Sequence, residues 1–338
     1  MNKLKVLVAG SLAMVLLIAG CGSSATEESD GKAGSNPSHY PVTVHNYTKA
    51  EGSAEWHGKD QVFQKEPKRI MATTRTVAEL LLHLGLKNRI VGVGGDFGTP
   101  DKSVSSDYES LKKLSHFYVG KEAAIGTNPD IIVSRGGLFE NADWGVGTID
   151  SLNNMGIGTY VLESSIPGGS FDSIYTDIRN LGKIFNVQDR AQAFSDQLKE
   201  RQKKITSKLS KIPRTQSFAY LHMSDLNNIY VYPAYGETFF NKAFQMVKLN
   251  NIFAHKRGDI SVETLVQSDP DVLIVLEWHH NRDEIRKALY NNPKLSSMKA
   301  IKNRQVYTMD YNYLFSYSYN TLDGLEQLAK DMYPDLYH

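Results

Sequence analysis

The amino-acid sequence predicts an α/β protein built of two related lobes. One short pattern occurs twice, because Glu122 and Glu263 lie 141 residues apart and each is followed seven residues later by a Pro-Asp pair and an apolar run. Short apolar runs also alternate with helical stretches on both sides of a long charged segment. Such alternation is typical of parallel strands joined by helices. Two lobes also suit a chain of 338 residues, which exceeds what one core usually organises.

The strands of the first lobe are predicted from continuous apolar runs, which are typical of parallel strands buried on both faces. These runs cover residues 69–72, 90–93, 131–134 and 159–162. A helix is predicted over 77–84, where apolar residues recur on one side. In both copies of the repeated pattern, the stretch from the Glu to the Pro is predicted to be a helix that the Pro-Asp pair ends.

A long helical segment separates the two copies of the pattern. From Phe171 to about Leu209 the apolar residues keep helical spacing within a charged background. We expect the second part of this segment, from about Asp189 to Leu209, to cross from one lobe to the other and to end near Pro213.

The second lobe repeats the theme of the first. Apolar runs predict strands at 218–221, 229–231, 272–276 and 305–308, and a last helix is predicted from about Thr321 to Met332. Aromatic residues alternate with smaller ones at Tyr311, Tyr313, Phe315, Tyr317 and Tyr319. Strict alternation predicts an extended segment with half-buried side chains, in which one or two tyrosines contact a ligand.

The first residues indicate export and lipid attachment. Lys3 and Lys5 precede an apolar run from Val6 to Ala19, which is too short to span a bilayer but suits a signal peptide. The run leads into Leu17-Ile18-Ala19-Gly20-Cys21, which resembles the lipobox of bacterial lipoproteins. Cys21 is the only cysteine of the chain, so an ordinary secretory signal with a coincidental cysteine is the less favoured interpretation. Several acyl chains on Cys21 would anchor the protein durably.

The predicted domain organisation follows from these segments. Residues 1–21 are the signal peptide, 22–60 a flexible tether and N-terminal extension, 61–170 the first lobe, 171–211 the helical segment and 212–338 the second lobe. The tether before about His39 has almost no large apolar residue, so it cannot bury enough surface to order itself. With a single cysteine, no intramolecular disulfide is expected.

Composition and motif searches argue against several function classes. A net charge of +1 with 22% charged residues provides no basic stripe for nucleic acid. The sequence has no His-Glu-x-x-His motif, no Gly-x-Ser-x-Gly motif and no phosphate-binding loop, so no enzyme activity is predicted. The tripeptide Arg257-Gly258-Asp259 leaves cell adhesion as a weakly supported alternative. No cofactor or resident metal is predicted.

Several segments of the chain resemble one protein family. They are Pro67 to Ile70 with Val91 to Val93, the two Glu-to-Pro-Asp units, and the stretches 250–253, 298–307 and 328–335. They are similar to segments of the substrate-binding proteins of ABC importers for ferric siderophores, haem and cobalamin, and the resemblance covers nearly all of the chain beyond about Val62. It implies two Rossmann-like lobes joined by one long α-helix, with the ligand in the cleft between them.

The resemblance also implies a role for the two repeated glutamates. In that family a Glu on each lobe docks to Arg residues of the permease, and the matching positions are Glu122 and Glu263. A permease of two subunits presents two like basic pockets, so the expected partners are a permease dimer and its cytoplasmic ATPase. The helix dipole offers a simpler reason for Glu in a first helical turn. We expect a monomer, lipid-anchored at the extracytoplasmic face of the membrane of a Gram-positive bacterium.

Candidate ligand contacts follow the predicted strands, because open α/β sheets bind ligands at the carboxyl ends of their strands. The candidates are Arg75, Arg135, His222, Tyr235, Trp278, His279, Tyr311 and Tyr313. Guanidinium groups hold carboxylate or catecholate oxygens and aromatic rings provide flat walls, so this mixture suits an anionic ferric siderophore. His279 or His280 could instead ligate haem iron, which makes haem the second candidate and a free metal ion the third. Arg75 could equally be a helix-capping or surface charge.

Overall fold

The computed structural model describes residues 39–277 and 281–337. The predicted signal peptide with Cys21, the tether before His39, and the candidate residues Trp278 and His279 lie outside the described residues. Within the described ranges, no helix has the length and apolar character needed to cross a membrane.

Strands and helices alternate along most of the described chain. The strands are β1 (Val42–Thr48), β2 (His57–Phe63), β3 (Ile70–Ala72), β4 (Ile90–Val93), β5 (Ile131–Arg135), β6 (Gly158–Leu162), β7 (Gln216–Asp225), β8 (Asn228–Tyr232), β9 (Leu249–Asn251), β10 (Val272–Glu277) and β11 (Val306–Asp310). The helices are α1 (Arg75–His83), α2 (Ser105–Glu109), α3 (Lys121–Ile125), α4 (Ile149–Asn154), α5 (Phe171–Ile184), α6 (Gln188–Leu209), α7 (Thr238–Gln245), α8 (Val262–Ser268), α9 (Arg282–Tyr290), α10 (Lys299–Lys302), α11 (Tyr311–Phe315) and α12 (Thr321–Met332).

The sheet of the first lobe is parallel, with strand order β4-β3-β5-β6. The strands predicted for this lobe are confirmed to within one residue of their predicted bounds. All of β5 except its last residue is buried, which explains why the strand reads as a continuous apolar run. Parallel pairing brings the carboxyl ends of these strands to one edge of the sheet, called here the carboxyl edge.

The sheet of the second lobe has the order β11-β10-β7-β8, and β9 also pairs with β7. All of its pairs are parallel except β7 with β8, which are joined by a tight turn at Leu226 and Asn227 and therefore run antiparallel. The strands predicted for this lobe are confirmed, and β10 is buried from Val272 to Leu276.

The lobes are joined by α5 and the 22-residue helix α6, which confirms the predicted crossing helix. One apolar cluster runs through these helices and one face of each sheet, including Ile131 and Val133 in the first lobe and Ile274 in the second. The opposite sheet faces pack into separate clusters, one of which contains Ile132. This division follows from the strand periodicity, because successive side chains point to opposite faces.

Two strands that were not predicted lie in the N-terminal extension, which follows the tether and was expected to end at residue 60. Strands β1 and β2 pair as an antiparallel hairpin that continues to Phe63. Asn46 of β1 is buried and binds the backbone of Val161 on β6, donating to its carbonyl at 2.9 Å and accepting from its N–H at 2.9 Å. The alternation of buried Val42 and Val44 with exposed polar residues is the strand signal that the sequence prediction did not use.

The aromatic run also differs from the prediction of an extended segment. Tyr311 to Phe315 form helix α11, and the Asp310 side chain caps it by accepting a hydrogen bond from the Asn312 N–H at 2.7 Å. Tyr317 then adopts a left-handed backbone conformation with φ of 52°. Alternation of aromatic residues over so few positions cannot distinguish a strand from a short helix that packs against other elements on both of its sides.

Candidate ligand-binding site

Arg135 ends β5 at the carboxyl edge of the first lobe and reaches the second lobe. Its Nη1 donates to the Phe315 carbonyl at 3.0 Å, and its Nη2 donates to the Tyr118 hydroxyl at 2.8 Å. The guanidinium carbon also lies 5.2 Å from the centre of the Tyr118 ring, as in a cation–π contact. Because open α/β sheets bind ligands beyond the carboxyl ends of their strands, this side chain marks a candidate site between the lobes.

Tyrosine side chains surround this guanidinium. Burial alone would lower the pKa of Arg135, but the neighbouring oxygens of Tyr118, Tyr311 and Tyr317 outweigh it and hold that pKa above its ordinary value. Burial raises the pKa of Tyr118 and of Tyr317. The site therefore presents a permanent positive charge among protonated hydroxyls, all of which can donate to an acceptor.

Glu237 adds a carboxylate that the sequence interpretation did not identify. Its two oxygens accept hydrogen bonds from Tyr232 at 3.2 Å and from Tyr317 at 3.3 Å. Burial raises the pKa of Glu237, while these two hydroxyls and the charge of Arg135 act in the opposite direction. The only sequence signal for this residue is its position after Gly236, between the end of β8 and the start of α7.

Aromatic rings from both lobes line the region around Arg135. Phe97 of the first lobe contacts Tyr118 with ring centres 5.2 Å apart and Tyr311 of the second lobe at 6.1 Å. Tyr311 stacks on Phe315 at 4.7 Å. Such rings combine large apolar faces with a few polar ends, which suits a flat ligand or a metal chelate. Phe97 and Tyr118 were not identified from the sequence, because they lie in loops without periodicity.

Arg75 does not join this cluster. Its guanidinium pairs with Asp96, lies 3.8 Å from Glu79 and lies 4.4 Å over the Tyr108 ring, all within the first lobe. These contacts support the interpretation of Arg75 as a structural charge that fixes the start of α1. Its contact with a ligand stays a prediction.

The other candidates are placed separately. His222 is half-buried and lies on β7 opposite Tyr230 of β8. Tyr235 is exposed, and the Arg257 guanidinium lies 4.8 Å from the centre of its ring. Tyr313 packs closely on α12, since a Cβ added to Gly324 of that helix would lie 2.7 Å from the Cβ of Tyr313. Burial raises the pKa of Tyr313 to about 12. Of the predicted contacts, the structure thus brings Arg135 and Tyr311 together. In the described part of the chain, no group of three or more His, Cys, Asp and Glu side chains is arranged to hold a metal ion.

The two repeated glutamates occupy equivalent places, as the repeat predicts. Glu122 is the second residue of α3, which leads into β5, and Glu263 is the second residue of α8, which leads into β10. Both are exposed. Hydrogen bonds from its own backbone N–H and from Ser261, together with the charge of Lys294, hold the pKa of Glu263 below its usual value. Each helix starts at the carboxyl edge of its lobe, so both carboxylates are presented there.

Comparisons with known proteins identify relatives along the whole chain. The chain is 24% identical over 334 residues to YvrC of Bacillus subtilis (strain 168), an uncharacterized ABC transporter substrate-binding lipoprotein, covering 97% of each chain. It is 23% identical over 346 residues to the Fe(3+)-citrate-binding protein YfmC of the same organism, covering 100% of this chain and 98% of that protein. Both relatives are named as binding proteins, and YvrC is named as part of an ABC transporter.

Solved structures have the same two-lobe fold. A periplasmic binding protein from Veillonella parvula superposes with a TM-score of 0.75 at 17% identity, covering 87% of this chain and 99% of that one. A protein of an ABC-type Fe3+-hydroxamate transport system from Saccharomonospora viridis superposes with a TM-score of 0.69 at 23% identity, with the same coverage. The sequence pattern of one family matches residues 70–313, which is most of the chain. The chain therefore belongs to the periplasmic binding protein family.

Proposed function

We propose that this protein is an extracytoplasmic solute-binding protein, held to the membrane by a lipid on Cys21, which captures a ferric siderophore and delivers it to an ABC permease. The observation that carries the ligand class is the Arg135 guanidinium between the lobes, surrounded by tyrosine hydroxyls. The relatives named for Fe(3+)-citrate and Fe3+-hydroxamate are consistent with this class.

The chemistry of a ferric chelate matches the groups of the site. Its carboxylate, hydroxamate or catecholate oxygens are anionic acceptors, and they would replace the neutral Phe315 carbonyl and Tyr118 hydroxyl as partners of Arg135. The guanidinium is charged in both states, and an anionic acceptor adds the attraction between opposite charges that the neutral carbonyl and hydroxyl lack, so this exchange favours the ligand-bound state. Glu237 orients two of the surrounding tyrosines by accepting hydrogen bonds from their hydroxyl groups.

Haem is the alternative cargo, because the stacked rings of Tyr311 and Phe315 also fit a flat macrocycle. His279 would then be the axial ligand. Cobalamin is a third member of the same cargo group. These cargoes differ in charge and in the protein group that contacts the metal, so a binding panel can separate them.

Tryptophan quenching of the purified protein tests the proposal directly. The panel comprises ferric citrate, a ferric hydroxamate, a ferric catecholate, haem and cobalamin, each titrated at neutral pH. We expect saturable and reversible quenching by one class of ferric chelate. Tight binding of haem alone would replace the siderophore proposal by the alternative, and binding of none of the five would contradict both.

Delivery requires a second contact, for which Glu122 and Glu263 are the proposed residues. Each exposed carboxylate would pair with an Arg of one permease subunit, and the equivalent places of the two residues fit a partner of two like subunits. The same permease would be driven by a cytoplasmic ATPase.

A further inference from the structure

The first lobe exposes two large apolar side chains close to Glu122. Phe117 is 62% exposed and Trp144 is 48% exposed. Burying such rings normally stabilises a protein by a few kcal/mol each, so large apolar rings left in water point to a binding surface. Tyr118, the next residue after Phe117, is half-buried beside Arg135, so neighbouring rings of one segment face two different environments.

Both rings lie around the start of α3. The Phe117 carbonyl accepts a hydrogen bond from the Gly95 N–H at 2.9 Å, which ties this segment to the end of β4. The loop that carries Trp144 packs closely on Gly120, the residue that precedes α3. A Cβ added to Gly120 would lie only 2.9 Å from the backbone oxygen of Asp143. Phe117, Trp144 and Glu122 therefore share the carboxyl edge of the first lobe.

Other exposed apolar residues of this lobe lie elsewhere. Val62 is 53% exposed and Met155 is 47% exposed. Both line a groove with Pro129 and Gly158, at the residues that lead into β5 and β6. Those residues are at the opposite edge of the sheet from Glu122. The exposed aromatic rings are thus confined to the edge that carries the docking carboxylate, while flexible aliphatic side chains are exposed at the other edge.

The surface around Glu263 has a different character. A groove of about 790 Å³ lies beside it, lined by Val262, Ile229, Asn292 and Lys294 among others. Among the residues of this lobe that the structure describes, the exposed large aromatic side chains are Tyr230 and Tyr235, whose hydroxyls can bind water. Lys294 also places a positive charge near Glu263. A basic partner would therefore meet exposed aromatic rings beside the carboxylate of the first lobe, and a groove of mixed apolar and polar residues beside the carboxylate of the second.

We propose that Phe117 and Trp144 are the apolar anchors by which the first lobe binds its permease subunit, next to the Glu122 contact. This inference rests on the proposed function, since it needs a permease as partner. The partner surface has an apolar pocket adjacent to a basic side chain, which is the usual composition of an interface centre where Trp and Phe are buried.

The test compares two double variants of the full-length protein in cells that lack the native copy. Phe117→Ala/Trp144→Ala removes the proposed anchors, and Val62→Ala/Met155→Ala removes equally exposed apolar residues at the opposite edge. We expect the first to lower uptake of the ferric chelate by about tenfold or more and the second to leave it unchanged. Purified samples of both should bind the chelate with native affinity and unfold at native temperatures. Trp144→Lys, which places a charge in the apolar pocket, should lower uptake by itself.

Three results would overturn the anchor assignment. Normal uptake with the first double variant would show that the rings do not bind the permease. Weaker chelate binding by its purified form would place the rings at the ligand cleft. Equal loss of uptake in the second double variant would show an effect of surface composition alone. The docking proposal itself is tested separately by charge reversal at Glu122 and Glu263, so its failure is distinguishable from failure of the anchors.

Discussion

Arg135 keeps its positive charge where solvent is largely excluded. Two of its nitrogens donate to neutral acceptors, one on each lobe, and the carboxylate of Glu237 acts on it through space. Neutral acceptors are weaker partners for a guanidinium than carboxylate or catecholate oxygens. Under the proposed function, Arg135 exchanges these two partners for the oxygens of an anionic ligand.

Replacing Arg135 by Ala should weaken binding of an anionic ferric chelate by about 1.5–3 kcal/mol, the usual value for a hydrogen bond to a charged group. Arg75→Ala is the matched control, because Arg75 forms its ion pairs within the first lobe and should affect stability more than affinity. Isothermal titration of both variants measures the two effects. Equal and negligible changes in affinity would mean that the ligand binds elsewhere.

Replacing His279 by Ala separates the two cargo alternatives. A chelator that already fills the coordination shell of iron leaves the imidazole only an outer contact, so the loss should be much smaller than for Arg135→Ala. For haem the order reverses, because loss of an axial ligand dominates and shifts the absorption bands. Titration with the best ligand of the panel, followed by absorption spectroscopy, decides between the two orders.

Individual side chains of the site were only partly predictable. Arg135 and Tyr311 could be proposed because each lies next to a recognisable apolar strand. Glu237 could not, since a single acidic residue after a glycine has no periodicity or partner in the sequence that marks it as buried. The buried environment of Glu237 is created by Tyr232 and by Tyr317, which is 80 residues away along the chain.

Helix α1, which is buried from Thr76 to Leu82, contains a buried carboxylate, Glu79. Its Oε1 accepts a hydrogen bond from the Asp101 N–H at 3.0 Å, and burial raises its pKa to about 7 against opposing effects of that N–H and of Arg75. In the unfolded chain the pKa returns to the ordinary value near 4.5. The folded protein therefore binds this proton more tightly than the unfolded chain does.

The free energy of unfolding should consequently fall as the pH rises from about 4.5 to 7, by up to about 3 kcal/mol from this group. Glu79→Gln keeps the acceptor for Asp101 and should remove this part of the pH dependence. Glu109→Gln, at an exposed glutamate, is the control. Urea unfolding at pH 5 and pH 7.5 measures the difference, and an unchanged slope in Glu79→Gln would contradict the assignment. Burial also raises the pKa of Asp177 to about 7. Asp177 contributes equally to the pH dependence of the native protein and of the two variants.

Elements with a clear apolar pattern were predictable, whereas the aromatic helix α11 and the mostly polar hairpin of β1 and β2 were not. The 22-residue helix α6 keeps helical spacing of its apolar residues, and the buried strand β10 is a continuous apolar run from Val272 to Leu276. The five-residue helix α11 lies where packing from both lobes decides the backbone conformation, and its aromatic alternation was therefore misread as an extended segment. The hairpin of β1 and β2 was missed because its polar exposed residues resemble those of a tether.

The whole molecule presents two equivalent carboxylates, one on each lobe. Replacing both Glu122 and Glu263 by Arg should stop import, because like charges would then face the basic pockets of the permease. Affinity for the ligand should not change, since both side chains are exposed at the starts of outer helices. Uptake assays and titration of the purified double variant measure the two properties. Normal uptake, or loss of ligand affinity, would contradict the docking role.

The proposed lipid anchor on Cys21 also concerns the whole molecule. Cys21→Ala should release the protein from the membrane into the medium, because lipid attachment is the proposed means of holding it there. Fractionation of cells followed by immunodetection measures the distribution. A variant that stays with the membrane fraction would contradict the lipoprotein assignment.

The two-lobe architecture itself was predictable because the repeated Glu-to-Pro-Asp unit marks the same helix and strand in each lobe. The contacts between the lobes were not, since they join residues without any shared sequence pattern. Examples are the hydrogen bond from the Thr99 hydroxyl to Asp310 at 2.7 Å and that from the Asn312 side chain to Thr76 at 2.9 Å.

The uninterrupted crossing helix α6 has a mechanical consequence. It is fixed along its length, for example by Arg201, which binds Asp323 at 2.6 Å and Glu326 at 2.9 Å on α12. A helix of this length is a strut of roughly 33 Å that bends far less readily than a loop hinge. The span between Glu122 and Glu263, the proposed docking carboxylates, is then set mainly by the folded chain. A permease that holds both carboxylates would distinguish a loaded protein from an empty one by a small tilt of one lobe, and not by a large change in reach.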